Sequence, residues 1–398
     1  MIASAKRIEQ VEEYYFSKKL AEVRSLDSVN FPIINLGIGS PDMPPAPAVI
    51  AALTKAAENA SNHGYQNYKG APVLRQAIAA FHERMYGVTL NAETEILPLM
   101  GSKEGIMHVS MAFVNEGDEI LIPNPGYPTY SSVSKLVGAK LVSYDLDEAN
   151  DWRIDIGTLR QRDLSKVKLM WLNYPHMPTG TRAMREDIIE LVALAKEKNF
   201  LLINDNPYSL ILNDEPFSIL SMPGAEEVVL ELNSISKSHN MAGWRIGWVA
   251  GKQTYIDAVL RVKSNMDSGM FLPLQLAAAE ALRLGDDWFK QLNATYAKRK
   301  VLAEQILKQL GCAFSSNQSG LFVWAKVPNT VHGVEAFVDK ILYEAKVFIT
   351  PGFIFGSNGE RFIRISLCAT EEKLKEALTR IQLFQQDKSV EKVLTAVI

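Results

Sequence analysis

Hydroxyl and cationic side chains cluster after an apolar run in the middle of the chain. Ser234, Ser236 and Lys237 follow the apolar residues 228–232, and Arg245 stands eight residues after the lysine. Hydroxyls beside two cations are typical of a site that binds an anion. An isolated lysine after a strand is usually solvated, because lysine is rarely fully buried. The prediction of an anion site therefore depends on what neighbouring strand ends contribute.

A carboxylate stands at the end of another apolar run. Residues 200–204 lead directly into Asp205, and Asn206, Pro207 and Tyr208 follow it. A carboxylate at the end of a buried strand is costly unless a cation pairs with it. Taken alone, Asp205 is equally compatible with a second interpretation, the capping of a turn.

Two further strand ends carry residues that suit a bound ligand. The sequence Gly101-Ser102-Lys103-Glu104-Gly105 opens a helical segment, so its free amides could hold a phosphate, although a plain capped helix start explains it as well. Tyr127 offers an aromatic face among prolines, although most such tyrosines simply pack. The sequence has no G-x-G-x-x-G and no Walker loop, which removes the main support for dinucleotide or nucleoside triphosphate binding.

The elements that position these residues alternate between short apolar runs and amphipathic segments. Segments such as 73–85 and 187–198 have the helical period and would cover the faces of a sheet. The alternation predicts an α/β fold with a mostly parallel sheet, whose ligand sites lie beyond the carboxyl ends of the strands. The predicted strands are 96–100, 119–123, 168–173, 200–204, 228–232 and 246–250.

The rest of the chain predicts a smaller α+β domain. A long charged segment after residue 285 is followed by a strand-like stretch, a helix, an apolar run at 362–367 and a last helix. The first 45 residues are too few for a core of their own and are expected to pack on this second domain. The predicted division is an N-terminal segment 1–45, a large domain 46–285 and a small C-terminal domain 286–398.

Composition excludes several classes of protein. The 398 residues carry 42 Lys and Arg against 45 Asp and Glu, a net charge of −3, without a basic block, so no nucleic acid partner is expected. No apolar h-region and no apolar run of roughly 18 residues occurs, which predicts a cytoplasmic protein with no membrane partner. Cys312 and Cys368 lack the spacing of a metal site, so both are expected to be reduced and packed, and metal use has no support.

In their order and spacing, the polar clusters resemble the pyridoxal phosphate-dependent aminotransferases of fold type I, class I and II. The resemblance covers nearly the whole chain. In that family a serine stands three residues before the cofactor lysine and an arginine eight residues after it, as Ser234, Lys237 and Arg245 do. The resemblance implies a large domain with a mostly parallel sheet of seven strands, a smaller α+β domain, and pyridoxal 5′-phosphate as cofactor.

The resemblance also implies roles for the matched residues. Lys237, Asp205 and Tyr208 would be catalytic: the lysine holds the cofactor covalently and moves the Cα proton, the aspartate pairs with the pyridinium nitrogen, and the tyrosine hydrogen-bonds the phenolic oxygen. The carboxylate is chemically required, because the ring withdraws electrons effectively while its nitrogen is protonated. The other implied cofactor contacts are the amides of Ser102 and Lys103, the ring of Tyr127, and the side chains of Ser234 and Arg245.

Three more residues complete the implied site. Arg364 matches the arginine that grips the substrate α-carboxylate, for which a planar guanidinium is suited, and Gly39 matches the glycine beside it. Tyr65, five residues before Gly70, would reach the phosphate held by a neighbouring subunit. The resemblance therefore implies a homodimer with shared active sites.

One motif departs from the family. The usual Asn-Pro-Thr-Gly is here Met177-Pro178-Thr179-Gly180, so the asparagine that donates to the phenolic oxygen and helps to hold the substrate carboxylate is replaced. A thioether is a weak acceptor and cannot donate, which costs about 0.5 to 1.5 kcal/mol for a neutral hydrogen bond. Asn173 is expected to contribute to substrate binding in compensation. His176 is a second candidate, although it is equally compatible with a packed or surface residue.

Three stretches, residues 13–16, 101–105 and 263–269, resemble the branch with LL-diaminopimelate, alanine and aspartate aminotransferases. Tyr14, Tyr15 and residues 267–271 are candidates for the side-chain pocket, with aromatic packing as the alternative for the tyrosines. We expect an aminotransferase that moves an amino group between an L-amino acid and a 2-oxo acid, with glutamate and 2-oxoglutarate as one pair. Two alternatives stay open: a β-lyase that cleaves C–S bonds on the same fold, and a cofactor-binding protein without turnover.

Overall fold

The computed structural model describes residues 2–11 and 15–396. The strands, numbered in chain order, are β1 (Ile34–Asn35), β2 (Ile96–Leu99), β3 (Glu119–Asn124), β4 (Lys140–Asp145), β5 (Val167–Leu172), β6 (Leu201–Asn206), β7 (Val229–Ser234), β8 (Gly247–Gly251), β9 (Phe322–Lys326), β10 (Val347–Phe348), β11 (Thr350–Pro351) and β12 (Phe362–Ser366). The α-helices are α1 (Lys6–Glu9), α2 (Tyr15–Leu26), α3 (Pro47–Ala57), α4 (Pro72–Tyr86), α5 (Ser102–Phe113), α6 (Pro128–Leu136), α7 (Ile156–Arg160), α8 (Arg185–Lys198), α9 (Ala225–Val228), α10 (Ile235–Ser238), α11 (Gln253–Lys263), α12 (Leu272–Leu282), α13 (Asp286–Gln309), α14 (Val334–Lys340) and α15 (Glu371–Ala396).

A mainly parallel sheet forms the centre of the fold. Within the described residues it has seven strands in the order β2-β8-β7-β6-β5-β3-β4. Strand β8 runs antiparallel to both of its neighbours, and the other pairs are parallel. Strands β6 and β7 are buried along their whole length, as expected for a parallel sheet covered on both faces. The predicted α/β class is therefore confirmed.

The N-terminal segment packs on the C-terminal part of the chain. Strand β1 pairs in parallel with β10, and Ser366 N donates to Leu36 O across 2.7 Å. Ile34 and Leu36 share one hydrophobic core with apolar side chains of α13, β9, β12 and α15. Among the described residues, β11, β12 and β9 form an antiparallel sheet beside this core. On these contacts we propose the division 1–45, 46–285 and 286–398.

One strand of the main sheet is missing from the predicted set. The predicted runs correspond to β2, β3, β5, β6, β7 and β8, with ends that differ by one or two residues. Strand β4 lies at the edge of the sheet, and its sequence, KLVSYD, has exposed or half-buried positions at all but one residue. Strand β4 has no continuous apolar run, because only part of it is covered, whereas β2 at the other edge is buried at all four residues and was predicted.

Two further sequence predictions concern the cysteines and the membrane. Cys312 and Cys368 are both free thiols and both buried. None of the helices in the described part of the chain combines the length and the hydropathy that a bilayer span requires.

Candidate active site

A cavity of about 420 Å³ opens where the carboxyl ends of the parallel strands meet. A larger groove, of about 1050 Å³, lies elsewhere and is lined by none of the predicted site residues. Of the predicted cofactor and substrate contacts, the structure brings all except Tyr65 to the wall of the smaller cavity, whereas the candidates His176, Tyr15 and 267–271 are not among its lining residues. The predicted contacts on this wall are Gly39, Ser102, Lys103, Tyr127, Asn173, Asp205, Tyr208, Ser234, Lys237, Arg245 and Arg364.

The hydroxyl and arginine side chains gather at the start of helix α5. Gly101 precedes this helix with φ 92°, and a Cβ atom there would lie 2.3 Å from Nη2 of Arg245. Glycine is therefore required for the guanidinium to reach the helix start. Ser234 Oγ donates to Ser236 Oγ across 2.8 Å, at the end of the neighbouring strand β7. Free helix amides, hydroxyls and a guanidinium form a donor set suited to a phosphate group.

Asp205 is the second-to-last residue of strand β6 and is 4% exposed. Its Oδ2 accepts a hydrogen bond from the Tyr130 hydroxyl across 3.1 Å, whereas Oδ1 has no hydrogen-bond partner among the described residues. Burial raises the pKa of Asp205 to about 6, although the Tyr130 hydrogen bond, the nearby Ser102 hydroxyl and the charge of Lys237 oppose this shift. A buried acid with an unfilled acceptor suits a cationic N–H donor, so the site fits the ring nitrogen of the predicted cofactor.

Lys237 lies on the single turn α10, directly after strand β7. Its Nζ donates to the backbone oxygen of Gly39. A Cβ atom on Gly39 would lie 2.3 Å from the ring of Phe322, so a side chain at this position would displace that ring. Burial lowers the pKa of Lys237, and the charges of Arg364 and Arg245 act in the same direction. A lysine that is less protonated than usual can act as a nucleophile and as a base.

Arg364 faces the cavity from strand β12 and is 4% exposed. Its Nη2 donates to Gly37 O across 2.9 Å, and its Nη1 donates to Sδ of Met177 across 3.1 Å. The guanidinium carbon lies 3.8 Å from the ring centroid of Phe322 and 4.6 Å from that of Phe355. Contacts with two aromatic rings hold the guanidinium in one plane, which favours bidentate binding of a carboxylate.

The tyrosines of the cavity have protonated hydroxyls. Burial raises the pKa of Tyr127 and of Tyr208, so each phenol keeps its proton near neutral pH. Tyr127 packs edge-to-face on Tyr130 at 5.5 Å between centroids, and Tyr208 packs on Phe322 at 5.9 Å. These contacts fix both rings at the cavity wall.

The amide of Asn173 is engaged by the backbone. Its Nδ2 donates to Asp205 O across 2.5 Å, and its Oδ1 accepts from Met177 N across 2.9 Å. The side chain therefore connects the strand end to the Met177 turn, and its role in substrate binding stays a prediction. His176 is absent from the cavity wall and contacts Thr179 Oγ1 across 2.9 Å. Burial lowers its pKa to about 3, so His176 is neutral.

Several residues of the cavity were not assigned a role from the sequence. Ser236 belongs to the predicted hydroxyl cluster beside Lys237, but no contact was predicted for it. Tyr130 stands three residues after Tyr127, so one helical turn brings both tyrosines to the same face of α6. The apolar part of the wall comes from distant parts of the chain, for which the sequence offers no local signal. This part comprises Phe16, Leu20, Ile38, Phe322 and Phe355.

Tyr65 lies apart from the other site residues. It is 94% exposed, and its neighbour Gln66 packs on Gly269, whose Cβ position lies 2.6 Å from Gln66 O. Exposed side chains on the same two segments are Tyr68, Met266 and Phe271. Tyr14 lies outside the described residues. Tyr15 packs edge-to-face on Phe353 at 5.5 Å and, among the described residues, does not line the cavity.

A buried ion pair holds the segment that follows α11. Lys263 Nζ lies 2.7 Å from both carboxylate oxygens of Asp267, and the lysine side chain is 1% exposed. Asp267 also accepts from Gly269 N across 2.8 Å. Glu104 and His108 of α5 lie beside this pair, with ligand-type atoms of Glu104, His108 and Asp267 within 4.8 Å of one another. The network joins the helix at the predicted phosphate site to residues 267–269.

Comparison with known proteins agrees with this geometry. A family model for class I and II aminotransferases matches residues 32–381. An LL-diaminopimelate aminotransferase of Dehalococcoides mccartyi is 39% identical over 386 residues, which cover 96% of this chain and 98% of the relative. That of Oleidesulfovibrio alaskensis is 39% identical over 385 residues, which cover 95% and 98%.

A solved structure shares both the fold and much of the sequence. Substrate-bound BacF from Bacillus subtilis superposes with a TM-score of 0.91 at 38% identity, covering 96% of this chain and 98% of that one. Together with the family match over most of the chain, this likeness confirms the resemblance, the fold type and the cofactor. The chain belongs to the class I and II aminotransferases, pyridoxal phosphate-dependent enzymes of fold type I.

Proposed function

We propose that this aminotransferase moves an amino group between an L-amino acid and a 2-oxo acid, with glutamate and 2-oxoglutarate as one pair. One observation carries the proposal: the Arg364 guanidinium lines the same cavity as the Lys237 amine and the Asp205 carboxylate. Transamination requires a cation for the substrate carboxylate, a base for the Cα proton and an acid for the ring nitrogen.

The residues of the cavity divide these tasks. Ser102, Ser234 and Arg245 hold the phosphate at the start of α5. Pyridoxal phosphate, when bound, draws electrons away from the bonds at the substrate Cα. Asp205 keeps the ring nitrogen protonated. Lys237, with its lowered pKa, holds the cofactor and takes and returns the proton at Cα.

The remaining side chains orient the reactants. Arg364 fixes the α-carboxylate of the substrate, beside the backbone of Gly39. Tyr127 would support the cofactor ring, and the Tyr208 hydroxyl would donate a hydrogen bond to the phenolic oxygen of the cofactor. The buried rings of Phe322 and Phe355, which are 6% and 5% exposed, keep their side of the cavity apolar.

Separate half-reactions test this proposal. Glutamate added without a 2-oxo acid should convert the yellow cofactor to the pyridoxamine form, and 2-oxoglutarate should restore the yellow colour. Lys237→Ala should abolish both changes. Release of pyruvate and ammonia from a cysteine conjugate would instead favour the β-lyase, and the absence of any turnover would favour a cofactor-binding protein.

LL-diaminopimelate is a second candidate for the amino donor, because the curated relatives are named for it. Its distal end carries a second ammonium group and a second carboxylate. Among the described residues of the cavity wall, Asp205 is the one acid, and it is assigned to the cofactor. The distal ammonium would therefore need an acid from outside this wall. A screen of amino donors against 2-oxoglutarate, with LL-diaminopimelate beside apolar and aromatic amino acids, decides between these classes.

We also propose a homodimer with shared active sites. Tyr65 is 94% exposed, and the adjoining Tyr68, Met266 and Phe271 are 45%, 67% and 40% exposed, an apolar group that a second subunit would cover. Tyr65→Phe should weaken cofactor binding without changing the mass measured by light scattering. A monomeric wild-type holoenzyme would contradict the proposal.

A further inference from the structure

Tyr130 is fully buried between two aromatic rings and contacts Asp205. Its ring stacks on Trp171 with centroids 5.1 Å apart and planes 4° apart, and it packs edge-to-face on Tyr127 at 5.5 Å. Tyr130 and Trp171 are 1% and 0% exposed. Because the ring has neighbours on its face and at its edge, the direction of the hydroxyl is set by packing. The hydroxyl donates to Oδ2 of Asp205 across 3.1 Å.

This phenol is a permanent donor. Burial and the charge of Asp205 raise the pKa of Tyr130 well above its ordinary value, so the phenol keeps its proton between pH 5 and 8. Hydrogen bonding to a carboxylate favours the ionised form of the acid. Among the described residues, the ionisable groups that face Asp205 are Tyr127 at the N-cap of α6, Tyr130 of α6, Tyr208, and Lys237.

We infer that Tyr130 is a positioning residue for the cofactor: its hydroxyl keeps Asp205 ionised and leaves Oδ1 as the acceptor for the ring nitrogen. Two observations carry this inference. Oδ2 is occupied by Tyr130, and Oδ1, on the same buried carboxylate, has no hydrogen-bond partner among the described residues. The inference rests on the role proposed for Asp205. It adds that the charge and the direction of this acid depend on a second side chain.

Equilibrium binding of pyridoxal phosphate to the apoenzyme tests the inference between pH 5 and 8. In Tyr130→Phe, which removes the hydroxyl and keeps the ring, Asp205 takes up its proton at higher pH. The pH below which the affinity for pyridoxal phosphate declines should therefore rise by about one unit. At pH 6 the variant should bind about fivefold more weakly than the wild type, and this difference should fade by pH 8. A packing defect would weaken binding to the same extent at every pH.

Tyr144→Phe is the matched control. Tyr144 is also buried, at 4% exposure, but its hydroxyl donates to the backbone of Trp171 across 2.7 Å. This variant should leave the pH profile of binding unchanged. Equal profiles for Tyr130→Phe and the wild type, or equal shifts in both variants, would overturn the inference.

Two further measurements keep the test decisive. If Tyr130→Phe does not fold, 3-fluorotyrosine at position 130 supplies a stronger donor of nearly the same size, and the acidic decline should then move to lower pH. An unmoved decline overturns the inference. Because binding and not turnover is measured, an unexpected substrate does not affect the result, whereas a wild-type protein that fails in the half-reactions contradicts the proposed function.

Discussion

Arg364 and Met177 are in direct contact, with Nη1 of the arginine 3.1 Å from Sδ of the methionine. The two residues are 187 positions apart, and both line the cavity. A thioether accepts hydrogen bonds weakly and cannot donate one. The Met177 sulfur is therefore a weaker acceptor for Nη1 than a substrate carboxylate would be.

Met177→Asn should improve substrate binding. An amide at this position can donate a hydrogen bond that the thioether cannot, worth about 0.5 to 1.5 kcal/mol, so KM for the amino donor should fall by about twofold to tenfold. The pKa of the yellow chromophore should fall as well. Steady-state kinetics and a spectroscopic pH titration measure the two effects. Met177→Leu, which keeps the volume without adding a donor, is the control, and equal results for both variants would contradict our account.

Arg364→Lys should impair carboxylate binding. A lysine cannot form two parallel hydrogen bonds to a carboxylate, so kcat/KM should fall by about tenfold to a hundredfold, chiefly through KM. Arg361→Lys is the matched control in the same strand region, because Arg361 donates to the backbone oxygens of Val331 and Pro328. An Arg364→Lys enzyme with the wild-type KM would rule out the assigned role.

Asp205→Asn should stabilise the apoenzyme at alkaline pH and abolish turnover. Burial raises the folded-state pKa of Asp205 from 3.8 to about 6, so the folded protein binds this proton more tightly than the unfolded chain. This group therefore lowers the stability of the wild type as pH rises from about 4 to 6, by up to about 3 kcal/mol. The variant should gain about 1 to 3 kcal/mol at pH 8 and almost nothing at pH 4 in urea unfolding. The same gain at both pH values, or an active Asp205→Ala enzyme, would contradict this account.

Asp267→Asn should destabilise the protein strongly. The change leaves Lys263, which is 1% exposed, without its buried counter-charge, and breaking such a pair costs about 3 to 5 kcal/mol. Asp287→Asn is the control, because Asp287 and Lys290 are paired at 3.8 Å on the surface, where the expected cost is about 0 to 1 kcal/mol. Urea unfolding of both variants measures the difference, and similar costs would show that the buried pair is not required for stability.

Sequence patterns predicted the elements whose local signal is strong. Buried parallel strands such as β6 and β7 begin with short apolar runs, so their positions and the polar residues at their ends can be predicted from the sequence. Edge strand β4 has no such run, because it is only partly covered. Asp205 and Lys237 come together because the parallel strands β6 and β7 end at one edge of the sheet, and Arg245 joins them because the antiparallel strand β8 begins at that edge.

Residues whose role depends on packing were harder to predict. The contact of Tyr130 with Asp205 requires the stacking on Trp171, which lies 41 positions away in the chain. Asn173 was expected to bind substrate, but whether its amide bonds to backbone or to a ligand is decided by the turn that brings Met177 N within 2.9 Å. Neither relationship has a local sequence pattern.

The hydrogen bond from Lys237 to Gly39 O connects the reactive amine to a loop 198 residues earlier in the chain. When the Lys237 amine binds another group, the Gly39 carbonyl loses its hydrogen-bond donor. The loop that contains Gly39 is then held by one hydrogen bond fewer. The protection of residues 37–42 therefore depends on whether the Lys237 amine donates to Gly39 O. Amide deuterium uptake in this loop should rise as the apoenzyme takes up its cofactor, even though most other segments become more protected.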